Sequence, residues 1–136
     1  MNVVIDTDVV MSALISDSTT RELMRDINDT LVAPIQLERE IDAHRDLLEE
    51  KSGLDESPVD ELLDRLFGYV AVVPDADLKP YREPALEALG DINQDDVIFL
   101  AAALAVGGAI WSDDDDFRKQ DLVPVVTTSD LIERRS

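Results

Sequence analysis

Three groups of acids, spread along almost the whole chain, stand where buried elements begin or end. Asp6 closes the apolar run Val3-Val4-Ile5, Asp96 opens the apolar stretch 97–106, and Asp114 and Asp116 follow Ala109-Ile110-Trp111-Ser112. In an open parallel sheet, strand ends gather along one edge, and ligands bind there. Carboxylates gathered at such an edge repel one another unless a cation joins them. A hard divalent ion, which prefers oxygen ligands, is the natural candidate. Asp and Glu make up about a quarter of the chain, so an acid carries information only where its position is structurally demanding. Asp6 meets that test at the end of a buried strand. Asp96 also fits an ordinary helix N-terminus, where capping and the dipole favour acids, and Asp95 beside it reads as a plain cap. In the run 113–116, Asp114 is the first choice and Asp116 the second, with Asp113 and Asp115 as solvated bystanders. Phe117 should turn back into the core and hold the loop.

Other residues leave more than one reading open. Glu38 and Glu40 are two positions apart, about 200° around a helix, and the pattern does not decide which faces the sheet edge. His44 is one turn beyond Glu40 and shares its face; a lone histidine on a charged helix reads as solvated. Ser112 could hydrogen-bond an acid at the strand end or cap the following turn. Trp111 reads as core. No glycine-rich phosphate loop occurs, and the single histidine lies mid-helix, which removes a Ser-His-Asp arrangement.

The elements that must position these residues alternate from end to end. Residues 2–5 read as a buried strand: short, β-branched and unalternating. Helical segments follow over 8–15 and 19–27, with a break near 16–18. A second strand covers 31–33. Pro34 is predicted to start a helix over 34–52, with Ile35, Leu37, Ile41, Leu47 and Leu48 on one side and Gly53 at its end. Ser57 is predicted to cap a helix reaching Phe67. A third strand spans 70–73, closed by Pro74, and a helix interrupted or bordered by Pro80 and Pro84 spans 78–89. Asn93 or Asp95 caps an apolar helix over 96–106, stopped by Gly107-Gly108 and deeply buried. Strands over 109–112 and 123–126 and a short helix capped by Ser129 complete the chain. This alternation predicts an α/β fold, a three-layer α/β/α sandwich around a central, mostly parallel sheet of about five strands.

The 136 residues suit a single domain spanning 1–136, and 45% hydrophobic residues can bury a core. No apolar run reaches the length of a membrane span, and no secretory signal pattern opens the chain. There is no cysteine, which excludes disulfides, thiolate metal sites and cysteine nucleophiles. The expectation is a soluble cytoplasmic protein with no membrane partner. The net charge of −19 is far from the basic balance of an ordinary nucleic-acid binder. Aspartate outnumbers glutamate about two to one, and arginine outnumbers lysine three to one. That surface suits a halophilic cytoplasm, where at about 1 M salt the Debye length falls to ~3 Å.

The motifs Val3-Val4-Ile5-Asp6-Thr7, Glu40-Ile41, Asp96 with Ala101, and Ile110-Trp111-Ser112-Asp113-Asp114-Asp115-Asp116-Phe117 span nearly the whole chain. In this order and spacing the chain resembles a PIN domain, the metal-dependent nuclease fold found in VapC-type toxins. The resemblance makes Asp6, Glu40, Asp96 and Asp114 the catalytic, metal-holding acids. It adds Asp116 as an auxiliary acid of the metal set and Ser112 as a hydrogen-bonding support. The family usually has Asn two residues after the first Asp; Asp8 stands there and adds charge. The activity implied is hydrolysis of RNA phosphodiesters with Mg²⁺ or Mn²⁺, plausibly by the toxin of a toxin–antitoxin pair, commonly a homodimer. Arg21, Arg25, Arg118 and Lys119, with Arg39 and Arg45 beside Glu40, are candidates for RNA-backbone contacts.

Two other readings compete. Asp6-Thr7-Asp8-Val9-Val10 also looks like the nucleophile motif of haloacid-dehalogenase-like phosphatases, with Asp113-Asp114 holding Mg²⁺. That family needs a lysine near the phosphate, and Lys51, Lys79 and Lys119 are poorly placed for it. The other is a non-catalytic interaction module that keeps the PIN fold.

Overall fold

A computed structural model describes residues 1–15, 18–52 and 56–135. Five strands form one sheet, all pairs parallel, in the order β3-β2-β1-β4-β5. They are β1 (Asn2–Ile5), β2 (Thr30–Pro34), β3 (Val70–Val73), β4 (Ala109–Trp111) and β5 (Val125–Val126). The order reverses between β1 and β4. The first three strands grow outward on one side of β1, and the last two grow outward on the other. Such a switch point leaves a crevice at the carboxyl ends of the two strands. Asp6 follows β1 and the run 113–116 follows β4, so both enter that crevice.

Helices flank the sheet. They are α1 (Thr7–Ile15), α2 (Ser18–Asp26), α3 (Gln36–Ala43), α4 (Arg45–Ser52), α5 (Glu56–Phe67), α6 (Asp75–Leu89), α7 (Val97–Val106) and α8 (Thr128–Arg135). The apolar α7 packs against α6 and against β1, β2 and β4. Its residues Phe99, Leu100, Ala101, Ala102 and Ala103 are buried. The three alanines let the helix approach closely, while Phe99 meets Phe117 edge-on with ring centroids 6.5 Å apart. Gly107 ends α7 in the left-handed region at φ 65, as a helix C-terminal glycine commonly does. Among the described residues no helix is long and apolar enough to cross a membrane.

Several boundaries differ from the sequence expectation, each for a local reason. Pro34 ends β2 instead of starting a helix. Its registered pairing with β1 has already finished at Val32, and Ile35 N–H takes the next bond, to Val73 O at 3.0 Å. The predicted helix over 34–52 is two helices, α3 and α4, with a turn at His44. The apolar stripe Leu37–Ile41 does not continue, since Leu47 is exposed. Gly53 and the predicted break at 16–17 lie outside the described residues. Ser57 lies inside α5, not at its cap. Helix α6 starts at Asp75, because Pro74 is extended and Asp75 and Asp77 supply an acidic first turn. The fifth strand keeps only two residues, with Pro124 O accepting from Ile110 N–H at 3.0 Å. Ser129 is inside α8. Thr127 caps it through a reciprocal pair: Asp130 N–H donates to Thr127 Oγ1 at 3.1 Å, and Thr127 N–H to Asp130 Oδ2 at 3.0 Å.

Candidate metal centre

Parallel pairing sets Ile5 against Trp111. The next residues along the two strands are therefore Asp6 and Ser112, and the Ser112 hydroxyl donates to Asp6 Oδ2. Asp6 Oδ1 accepts from Val9 N–H at 2.8 Å, so the same carboxylate caps α1. Ser112 Oγ in turn accepts from Asp114 N–H at 3.0 Å. One hydroxyl thus joins the end of β1 to the loop after β4. Asp114 Oδ1 accepts from Asp116 N–H at 2.9 Å and starts the 3-10 turn Asp115–Lys119, which returns Phe117 to full burial.

Asp96 arrives from α7. It occupies the N-cap position yet has helical backbone angles and makes no cap bond. Asn93 does the capping: its side chain accepts from Asp95 N–H at 3.0 Å and opens the 3-10 turn Gln94–Asp96. The expectation that Asp95 serves as the plain cap is thereby corrected. Asp96 is only 8% exposed, and its Oδ2 is buried with no hydrogen-bond partner. An acid so placed lacks the compensation that buried polar groups almost always find. One carboxylate oxygen from each of Asp96, Asp114 and Asp116 lies within 4.8 Å of the others.

The result is an open cleft of about 410 Å³ whose carboxylates are Asp6, Asp8, Glu40, Asp95, Asp96 and Asp114. The structure thus brings four sequence candidates, Asp6, Glu40, Asp96 and Asp114, to one wall system. Asp116 belongs to the triplet without lining the cleft. Asp6 lines the cleft but stands outside the triplet, with each oxygen held by a protein donor. Of the two glutamates on α3, Glu40 lines the cleft, and its Oε2 accepts from the Thr7 hydroxyl, which ties α3 to the end of β1. Glu38 lies in a separate depression with Ile41, Arg45 and Asp60. Asp113 points to another task, accepting from Thr128 N–H and Oγ1, both at 2.7 Å, at the start of α8.

Burial and mutual repulsion act on these acids together. Burial, followed by the charges of Asp114, Asp116, Asp6 and Asp8, pushes the Asp96 carboxyl up to about 7. Burial lifts Asp6 to about 6 against the lowering pull of its Ser112 and Val9 hydrogen bonds. A divalent cation would reverse this local electrostatic balance. The unpartnered Asp96 oxygen and the clustered oxygens of Asp114 and Asp116 fit that group in charge and in donor type.

The profile of the PIN domain family matches residues 4–133. The chain belongs to the PIN domain family. Solved structures share the fold of this PIN domain at low identity. The VapBC2 complex from Rickettsia felis bound to a promoter DNA fragment has 13% identity and a TM-score of 0.70, over 93% of this chain and 98% of that one. A toxin–antitoxin complex from Klebsiella pneumoniae has 11% and 0.68, over 93% and 97%. VapBC-1 from nontypeable Haemophilus influenzae has 14% and 0.69, over 95% and 99%. No curated protein matches the sequence significantly.

The cationic candidates of this PIN domain do not line the cleft. Arg25 pairs with Asp26 at 2.8 Å near the end of α2, which leads to the start of β2 at the sheet edge opposite the cleft. Arg21 is one turn earlier on the same helix. Arg45 pairs with Asp42 and Asp60, and Arg39 is exposed. Lys119 donates to Asp116 Oδ1 at 3.1 Å, and Arg118 is exposed beside it. Three lining residues carry more weight than the sequence suggested. Thr7 positions Glu40, Asn93 frees Asp96 from capping, and His44 opens onto the cleft. Asn93 was available as a cap signal, and His44 as the residue one turn past Glu40. Nothing local pointed to the Thr7–Glu40 pair, which joins residues 33 positions apart.

Proposed function

We propose that this PIN domain is a divalent-metal-dependent endoribonuclease and the toxin of a toxin–antitoxin pair. The observation that carries the proposal is the buried, unpartnered Asp96 oxygen beside Asp114 and Asp116 at the sheet's switch point. Asp96, Asp114 and Asp116 would hold Mg²⁺ or Mn²⁺, with Asp6 and Glu40 completing the acidic site. Bound there, such an ion supplies Lewis-acid polarisation of a phosphoryl oxygen and a lowered pKa for the attacking water. The chain's own contributions are positional. Ser112 and Val9 N–H hold the Asp6 carboxylate at the end of β1. Thr7 fixes Glu40 on the cleft wall supplied by α3. Asp8, exposed on the rim, adds charge that attracts cations.

The similar structures are two VapBC complexes and one toxin–antitoxin complex, which supports an antitoxin partner. They also favour reading the chain as the VapC-like member; the expectation of a homodimer is checked by light scattering. The hydrogen bonds on both oxygens of Asp6 leave it poorly suited as the nucleophile of a haloacid-dehalogenase-like phosphatase. The deciding assay is cleavage of single-stranded RNA in molar KCl with Mn²⁺. Asp114→Asn and Asp6→Asn should each lose at least about 100-fold in rate, and Ser112→Ala about 10-fold to 100-fold. Full activity in Asp114→Asn would remove the proposed centre from the mechanism. Partner binding without any RNA cleavage would favour the interaction-module reading.

A further inference from the structure

An acidic cleft that is to receive a polyanion needs donors of its own besides the metal. Its six carboxylates, when ionised, only accept hydrogen bonds. Phe99 offers no donor. The Thr7 hydroxyl is already given to Glu40, and the Asn93 carbonyl oxygen to Asp95 N–H, which leaves only the neutral Asn93 amide nitrogen. His44 is the remaining lining residue, and the only one able to carry positive charge. It is exposed, and among the described residues its imidazole takes part in no hydrogen bond or ion pair. Its position is fixed nonetheless. Its backbone N–H donates to Glu40 O at 3.2 Å and Ile41 O at 3.1 Å, which anchors the residue at the turn between α3 and α4. It therefore stands one helical turn, about 6 Å, beyond Glu40 along the cleft wall.

We propose that His44 is a substrate-binding residue whose imidazole donates to a phosphate oxygen of the RNA strand beside the linkage held at the acidic centre. This rests on the ribonuclease reading above. The contact serves orientation: it holds the strand along the α3 wall, at a distance from the clustered acids where a second phosphate would otherwise meet only negative charge. Because the same contact is present before and during cleavage, its loss raises KM and leaves kcat nearly unchanged.

The experiment is steady-state cleavage of a single-stranded oligoribonucleotide with Mn²⁺, at about 0.2 M and about 2 M KCl, with Mn²⁺ affinity measured separately by calorimetry. His44→Ala is expected to raise KM about tenfold, in keeping with loss of a charge-assisted hydrogen bond, with kcat and Mn²⁺ affinity within about twofold of wild type. His44→Lys, which places a nitrogen donor at the same position, should recover most of the KM. The ratio of variant to wild type should be largest at about 0.2 M KCl and shrink at about 2 M, because a contact from an exposed side chain to phosphate weakens as salt rises. An unchanged KM in His44→Ala at the lower salt, or a Lys variant no better than Ala, would each overturn the proposal while leaving the nuclease reading intact. Absence of cleavage by the wild-type protein would overturn both.

Discussion

In the proposed centre, Asp96 is the residue for which proton and metal would compete. Its folded-state pKa, pushed up to about 7 by burial and by Asp114, Asp116, Asp6 and Asp8, lies above the ordinary carboxylate value near 3.9. The folded protein therefore holds this proton more tightly than the unfolded chain. The resulting stability is fully present below about pH 4 and is lost as pH rises through about 7. In metal-free protein, Asp96→Asn should be more stable than wild type at pH 8 by on the order of 2 kcal/mol, and the gap should close toward pH 4. Thermal melts of both proteins across that range check it. If Mn²⁺ binds at the proposed centre it displaces the same proton, so its affinity should rise from pH 5.5 to about 7 and then level off, which calorimetry in two buffers of different ionisation enthalpy would measure. Asp6 and Asp114 were legible in the sequence because each leaves an apolar strand run. Asp96 was ambiguous there, since an acid at a helix start has an ordinary reason to exist. Only the Asn93 cap, seen in three dimensions, removes that reason. The choice of Glu40 over Glu38 needed the phase of α3 and the Thr7 hydroxyl, neither of which a local pattern contains.

Among the elements, β4 and α7 do most to place the site, and their junction is tight. A Cβ on Gly108 would come within 2.1 Å of the Asn2 carbonyl oxygen. This is backbone that cannot give way without disturbing the β1–β4 pairing. Gly108→Ala should lower stability by about 1–3 kcal/mol and weaken Mn²⁺ binding at the proposed centre as well, since Asp6 and Ser112 each lie four residues further along the same two strands. Denaturant unfolding and metal titration would test the two halves of that expectation. At the other end of the acidic loop, Thr127→Ala removes half of the reciprocal cap on α8 and should cost about 1 kcal/mol. The apolar runs made all five strands readable from sequence, and α7 was unmistakable. Helix starts were less so. Pro34 and Pro74 are permitted both at strand ends and at helix starts, and pairing with a neighbouring strand decides between them. Thr127 and Ser129 are both good capping residues, and the position of Asp130 selected the first.

For the molecule as a whole, the net charge of −19 is the dominant long-range term. Lowering KCl from about 2 M to about 0.1 M lengthens the Debye screening distance from a few Å to ~10 Å, so surface carboxylates begin to repel across the fold. The melting temperature should fall over that range, and differential scanning calorimetry without divalent ions would register it. A midpoint independent of KCl would argue against the halophilic reading. The alternation of strands and helices announced an α/β protein, but not which strand lies next to which; sheet order depends on long-range pairing that no local run encodes. That order has a temporal consequence. Ser112 reaches back to Asp6 across 106 positions, and the central strand made first waits for a neighbour made near the end. A ribosome must therefore synthesise most of the polypeptide before the acids can assemble, and every shorter intermediate emerges without a finished centre.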